Sequence, residues 1–157
     1  VEYKIEILTQ KNGINMKTEK EFIKYKQALI LKELGFDEPC IGWYNPQVNY
    51  KKVTTDRYWA FHLTGEWENF KPAPLYQQAF RWFREKDFGI IDKPFYSSLD
   101  EPKVTYALDI INWKTGRTYK MDRKKSYEEA ELACLIKLIE IVKNNEYKQI
   151  EYEETKE

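Results

Sequence analysis

Hydrophobic and polar positions recur along this chain in blocks, and the period of each block predicts an element. The clearest blocks lie in the last third. Val104, Tyr106, Leu108 and Ile110 share one side of a period-two run, Lys114-Thr115-Gly116-Arg117 supplies a turn, and Tyr119 and Met121 resume the alternation. That pattern predicts two strands joined by a tight turn. Ser126-Tyr127-Glu128-Glu129 then sets a capping serine three residues before a glutamate, which is how a helix start reads. Leu132, Leu135, Ile136, Ile139 and Val142 form the main apolar stripe of that helix, with Ala130, Ala133 and Cys134 beside it. So broad a stripe calls for burial across a sheet to which the 104–122 ribbon belongs. From Asn144 the chain turns polar, and 144–157 reads as an added strand or a flexible tail.

Upstream, Val1, Tyr3, Ile5 and Ile7 alternate with Glu2, Lys4 and Glu6 as in a half-buried strand, and Asn12-Gly13 is a hairpin-turn pair. Thr18-Glu19-Lys20-Glu21 has the form of a capping box. The helix it would open carries Phe22, Tyr25 and Leu29 on one stripe and Ile23, Ile30 and Leu34 on another. Gly35 should close that helix in the left-handed conformation, with Phe36 packing back. Residues 37–57, with Pro39, Gly42 and Pro46, show no period; Arg57 to Leu63 alternates as a strand would. Pro72 and Pro74 bound a connector. Tyr76, Ala79, Phe80 and Phe83 then recur at helical spacing, with Gly89 as the closing residue, and Ile90 to Pro102 reads as irregular. Together these elements predict an α+β fold in a single domain over 1–157. Three helices would pack on one face of a mainly antiparallel sheet of about four to five strands.

Composition narrows the function. The 157 residues include 26 basic and 26 acidic side chains, so no whole-molecule field steers the protein to nucleic acid or to an anionic membrane, and only a local patch could. No apolar run is long enough to cross a bilayer, so no membrane association is expected and the cytoplasm is the expected location. Cys40 and Cys134 form no C-x-x-C pair and suit a reducing compartment, Cys134 as a small hydrophobe on the helix stripe. Aromatic residues make up 16% of the chain, and most fall on periodic positions that predict core. Trp43, Tyr44, Tyr50, Trp67 and Phe70 fall instead in irregular segments, where they could form a protein-binding surface.

Candidate chemistry is sparse. The one histidine, His62, sits between Phe61 and Leu63 on a predicted strand. There is no HExxH, no paired Cys/His spacing and no calcium loop, so no metal site is assigned. The six glycines never cluster as GxGxxG or GxxxxGK, and no G-x-S-x-G elbow occurs. No catalytic residue and no cofactor is assigned, and the sequence leans away from an enzyme without deciding it; a two-carboxylate site stays open, with Glu66, Glu68 and Glu85 near the ring-rich segment as its candidates. One run stands out. Lys114, Arg117, Lys120, Arg123, Lys124 and Lys125 crowd the hairpin and the helix start beside Trp113 and Tyr119, with Asp122 the only acid among them. Such a run suits a nucleic-acid backbone, or a hairpin tip kept charged against edge pairing. Arg81, Trp82 and Arg84 on the second predicted helix could hold the base and phosphate of a nucleotide, or another small molecule.

The β-β-α order with Lys124-Lys125-Ser126 and Ala130 resembles the second half of a double-stranded RNA-binding domain. That family's motif places lysines in the first helical turn, whereas Tyr127, Glu128 and Glu129 stand here. Three further segments, 31–40 (LKELGFDEPC), 78–86 (QAFRWFREK) and 127–135 (YEEAELACL), are similar to short proteins of no known activity encoded by phages and prophages of gut bacteria. That resemblance implies a mobile-element setting and carries no site residues. The sequence therefore reads as a non-enzymatic accessory or binding protein with a protein partner. Nucleic-acid binding by the 114–125 hairpin is the alternative, and nucleotide binding near 76–86 the third reading.

Overall fold

The computed structural model describes residues 19–46, 49–55, 69–96 and 104–154, with side chains as far as Asn144. The strands expected at Val1–Ile7 and Arg57–Leu63, the Asn12-Gly13 turn, the Thr18 cap, His62, Glu66, Trp67 and Glu68 lie outside the described residues. In chain order the elements are α1 (Tyr25–Glu33), β1 (Gly42–Tyr44), β2 (Val53–Thr54), β3 (Lys71–Ala73), α2 (Tyr76–Glu85), β4 (Phe88–Tyr96), β5 (Val104–Asn112), β6 (Thr118–Tyr119) and α3 (Tyr127–Glu154). The class is α+β, with three helices among the described residues. Among the described residues, however, the strands form two three-stranded antiparallel sheets, β2-β1-β3 and β4-β5-β6, in place of one sheet of four to five strands. The chain divides into two compact units, the first drawn from residues up to Ala28 and Pro39–Leu75, the second from Leu29–Glu38 and Tyr76 onward. Each unit builds its own sheet.

In the first unit, pairing overrides the helix expected from Thr18. Phe22 forms an antiparallel bridge with Leu75, and the Ile23 amide donates to the Pro74 carbonyl at 2.9 Å. Phe22 and Ile23 are buried by that pairing. Helix α1 therefore starts only at Tyr25, where the Lys24 carbonyl accepts from Gln27 and Ala28 at 3.0 and 3.1 Å. Strand β1 sits between β2 and β3, with Trp43 opposite Thr54 and Pro72. Gly42 is required there, because a Cβ would stand 2.6 Å from Phe22 Cε1 and 2.8 Å from Val53 Cγ1. Strands β1 and β2 are three and two residues long, too short to show a period, which is why residues 37–57 read as irregular in sequence.

The C-terminus of α1 is as expected. Gly35 has φ +87°, the Phe36 amide reaches the Leu31 carbonyl at 2.9 Å and the Gly35 amide reaches Lys32 at 3.1 Å. This is the Schellman arrangement, and Phe36 is buried by it.

In the second unit, α2 buries Tyr76, Ala79, Phe80 and Phe83 as their spacing predicted, and Trp82 as well. It ends earlier than Gly89: the Lys86 and Asp87 amides bond back to Phe83 and Arg84, and Asp87 takes φ +67°. The stretch from Ile90, expected to be irregular, is instead most of β4. That strand pairs along its whole length with β5, from Phe88 opposite Asn112 to Tyr96 opposite Val104. Pro94 is tolerated because, among the described residues, β4 lies at one edge of this sheet, where a proline need not break a ladder.

Helices α2 and α3 touch each other, and pack on β4 and β5 respectively. The Tyr106 ring meets Tyr127 of α3 edge-on at 5.7 Å, so Tyr106, Leu108 and Ile110 share the helix side of β5. The start of α3 is a capping box. Ser126 Oγ accepts from the Glu129 amide and Glu129 Oε2 accepts from the Lys125 amide, both at 3.2 Å. Its buried stripe is Ala130, Cys134, Leu135, Leu138, Ile139, Ile141 and Val142. Leu132 is half-buried. Ile136 is 47% exposed, a correction to the expected stripe. Neighbouring helical residues lie about 100° apart, so a stripe centred on Leu135 and Leu138 turns position 136 outward. Among the described residues no helix is long and apolar enough to cross a membrane.

Candidate nucleic-acid interface

The basic run occupies the β5–β6 turn and the segment leading to α3. The turn is closed by its own polar groups. Asn112 Oδ1 accepts from the Thr115 amide at 2.9 Å, Thr115 Oγ1 from the Arg117 amide at 3.3 Å, and Gly116 takes φ +72°. Lys114 is exposed in this turn. Strand β6 then pairs for two residues, Thr118 opposite Ile111 and Tyr119 opposite Ile110.

After Tyr119 the ladder stops, and it resumes as a single bridge between Lys124 and Tyr106, with amide-to-carbonyl distances of 2.8 and 3.0 Å. Continuing the Ile110–Tyr119 register would put Arg123 opposite Tyr106. The bridge falls on Lys124 instead, so one extra residue bows out between 120 and 123. Met121 was expected to continue the strand, but its amide donates to Asp109 Oδ1 at 2.9 Å.

Asp109 is 3% exposed, and its other oxygen accepts from Lys93 Nζ at 2.6 Å. Burial pushes this carboxyl up. The Lys93 hydrogen bond, the Met121 amide and the charges of Lys93 and Lys120 outweigh burial and hold it below the ordinary aspartate range. One buried anion thus joins β4, β5 and the bowed segment.

By strand alternation, Asp109 shares its side of the sheet with Gly89, Ile91, Lys93 and Phe95 of β4, away from α3. On that side the Arg123 guanidinium lies 3.7 Å from the centre of the Phe95 ring. Arg117 lies 4.9 Å from the centre of the Tyr119 ring. A guanidinium resting on a ring keeps its outward N–H groups available while losing some of its freedom. Lys114, Arg117, Lys120, Arg123 and Lys125 are exposed; Lys124 is half-buried.

The other candidate sets are placed differently. Tyr44 and Phe70 are buried in the core. The Tyr44 hydroxyl donates to the Ile23 carbonyl, and Tyr25 links it to Tyr50, edge-on to Tyr44 at 5.1 Å and stacked on Tyr50 at 4.4 Å. Trp43 is half-buried on β1. Trp82 is buried against Phe36 and Phe83, with Lys86 Nζ 4.4 Å from its ring centre. Arg81 and Arg84 are exposed, and Arg81 pairs with Glu38. The ring is thus buried in the core while the two arginines face solvent. Cys134 is buried, and burial pushes its thiol up to about 12; Cys40 is half-buried.

Reading the sequence alone missed Asp109, Lys93 and Phe95. One signal was present: an acid between Leu108 and Ile110 in the most apolar strand has to be paired to be buried. Among the described residues no three His, Cys, Asp or Glu side chains group as a metal site. The chain matches no protein-family model, no curated protein and no solved structure.

Proposed function

We propose that this protein binds nucleic acid through its phosphate backbone, using the segment from Trp113 to Lys125. The observation that carries this is the pinned, cation-rich loop. Six of the twelve residues from Lys114 to Lys125 are basic and one is acidic, in a chain of zero net charge. The Asp109 carboxylate fixes the backbone in the middle of that segment. Lysine and arginine on a fixed loop neutralise phosphates and release counterions without reading sequence. Protection of a sheet edge would account for the charge of Lys114 and Arg117 in the turn before β6. It does not account for Arg123 resting on Phe95 at 3.7 Å on the broad side of the sheet. The protein-partner reading loses two of its five aromatics to the core, Tyr44 and Phe70.

Fluorescence anisotropy of a labelled oligonucleotide at low salt tests the proposal. The wild-type protein is expected to bind. The triple variant Lys120→Glu, Arg123→Glu, Lys125→Glu is expected to bind at least about tenfold more weakly, with its far-UV circular dichroism unchanged. No binding by the wild type, or equal binding by the variant, refutes the reading.

A further inference from the structure

We infer that the nucleic acid taken by this site is single-stranded, with an unpaired base stacked on the outer face of the Trp113 indole. The inference rests on the phosphate-backbone reading above and adds the class of strand. It starts from Gly89. A Cβ at that position would lie 2.4 Å from Trp113 Cζ2, 2.6 Å from Cε2 and 2.9 Å from Nε1, so the indole lies directly on the glycine backbone. Atoms of both rings are involved, which places one flat face of the indole against β4. The Trp113 amide donates to the Asp87 carbonyl at 2.8 Å and fixes the base of the side chain. With one face seated, Trp113 is still 55% exposed, which leaves the other face to solvent.

A tryptophan held flat by a glycine and open on one side is a stacking platform, and every base has a π-face to offer it. The cations are arranged to take the strand onward. Lys114 follows Trp113 in the chain. Arg123 sits on Phe95, which lies on the same side of β4 as Gly89, six residues along. That separation is roughly 20 Å at about 3.3 Å per residue, enough for a short run of phosphates between the platform and the far arginine. The half-buried Lys93 lies between them. In a duplex the base faces are already stacked on their neighbours and cannot reach the indole, so the platform has a use only if the strand is unpaired.

The test compares three labelled probes of equal length at low salt: oligodeoxythymidylate, its duplex with oligodeoxyadenylate, and an abasic phosphodiester strand. The wild-type protein is expected to bind the first at least about fivefold more tightly than the abasic strand, the lower end of what stacking one base supplies. It should also favour the single strand over the duplex. Trp113→Leu keeps an apolar cover on Gly89 without a ring and should lower oligodeoxythymidylate binding to the abasic level. Trp113→Phe should retain an intermediate preference. Equal binding of abasic and base-bearing strands, a duplex preference, or a Trp113→Leu variant that still prefers base-bearing strands overturns the inference. If the Lys120, Arg123 and Lys125 reversals still abolish binding in that case, the phosphate reading stands without it. If they do not, both fall.

Discussion

Replacing Asp109 is the sharpest test of how the basic segment is held. Asp109→Ala removes two acceptors at once: Oδ2 from Lys93 Nζ at 2.6 Å and Oδ1 from the Met121 amide at 2.9 Å. A hydrogen bond to a charged group contributes about 1.5–3 kcal/mol. The Lys93 bond must be discounted, because the lysine side chain is 41% exposed and water replaces its partner. Relief of the carboxylate's own desolvation offsets a further part. The expected net loss is about 2–3 kcal/mol, most of it from the abandoned Met121 amide and the space left on β5. Asp109→Asn keeps the shape and the acceptor for Met121 and removes only the charge, so about 1 kcal/mol is expected. Lys93→Met leaves the carboxylate buried without its cation. Its effect should shrink by about 1 kcal/mol when combined with Asp109→Asn, since the two groups interact directly. Urea unfolding followed by far-UV circular dichroism supplies all four values. The sign of the pH effect follows from the lowered carboxyl. Its contribution is fully present above the ordinary aspartate value of about 3.9 and is lost as pH falls through the folded-state value. The gap between wild type and Asp109→Asn should therefore be constant at neutral pH and close below about pH 4. An Asp109→Ala variant within about 0.5 kcal/mol of wild type, or a gap that persists in acid, refutes the role given to this anion.

Other expectations follow from packing. Leu135→Ala should cost about 2–5 kcal/mol while Ile136→Ala stays within about 0.5, and equal losses would mean that α3 is rotated from the face described. Ser126→Ala should cost about 1 kcal/mol in the same assay, and no change would deny the cap. At neutral pH iodoacetamide should label Cys40 in the folded protein and Cys134 only on unfolding, because the buried thiol is pushed up to about 12. Mass spectrometry of a digest reads the order, and early labelling of Cys134 would contradict its burial.

Local signals in the sequence were reliable where one element decides its own form. Gly35 with Phe36, the Tyr76–Phe83 stripe and the Ser126–Glu129 cap each depend on residues within one or two turns, and each was legible. What failed depends on pairing between distant residues. Pro94 and Gly89 look like breakers, but β4 uses the first at a sheet edge and the second as a floor for Trp113. Phe22 and Ile23 fit a helical stripe, but Pro74 and Leu75 capture them as extended chain. The candidate site divides in the same way. Its cations were visible as a run in one stretch of sequence. The acid that fixes them was not, because the significance of Asp109 appears only once β4 brings Lys93 beside it and the ladder breaks after Tyr119.

The salt dependence of oligonucleotide binding tests the central claim most directly. For a single strand, the logarithm of the affinity falls with the logarithm of salt by about 0.7 for each phosphate neutralised. With Lys114, Arg117, Lys120, Arg123 and Lys125 exposed, the slope should lie between about −2 and −3.5 and become shallower by about 0.7 for each cation changed to glutamine. A slope near zero, or one that does not move when Lys120 and Arg123 are neutralised, would contradict the account.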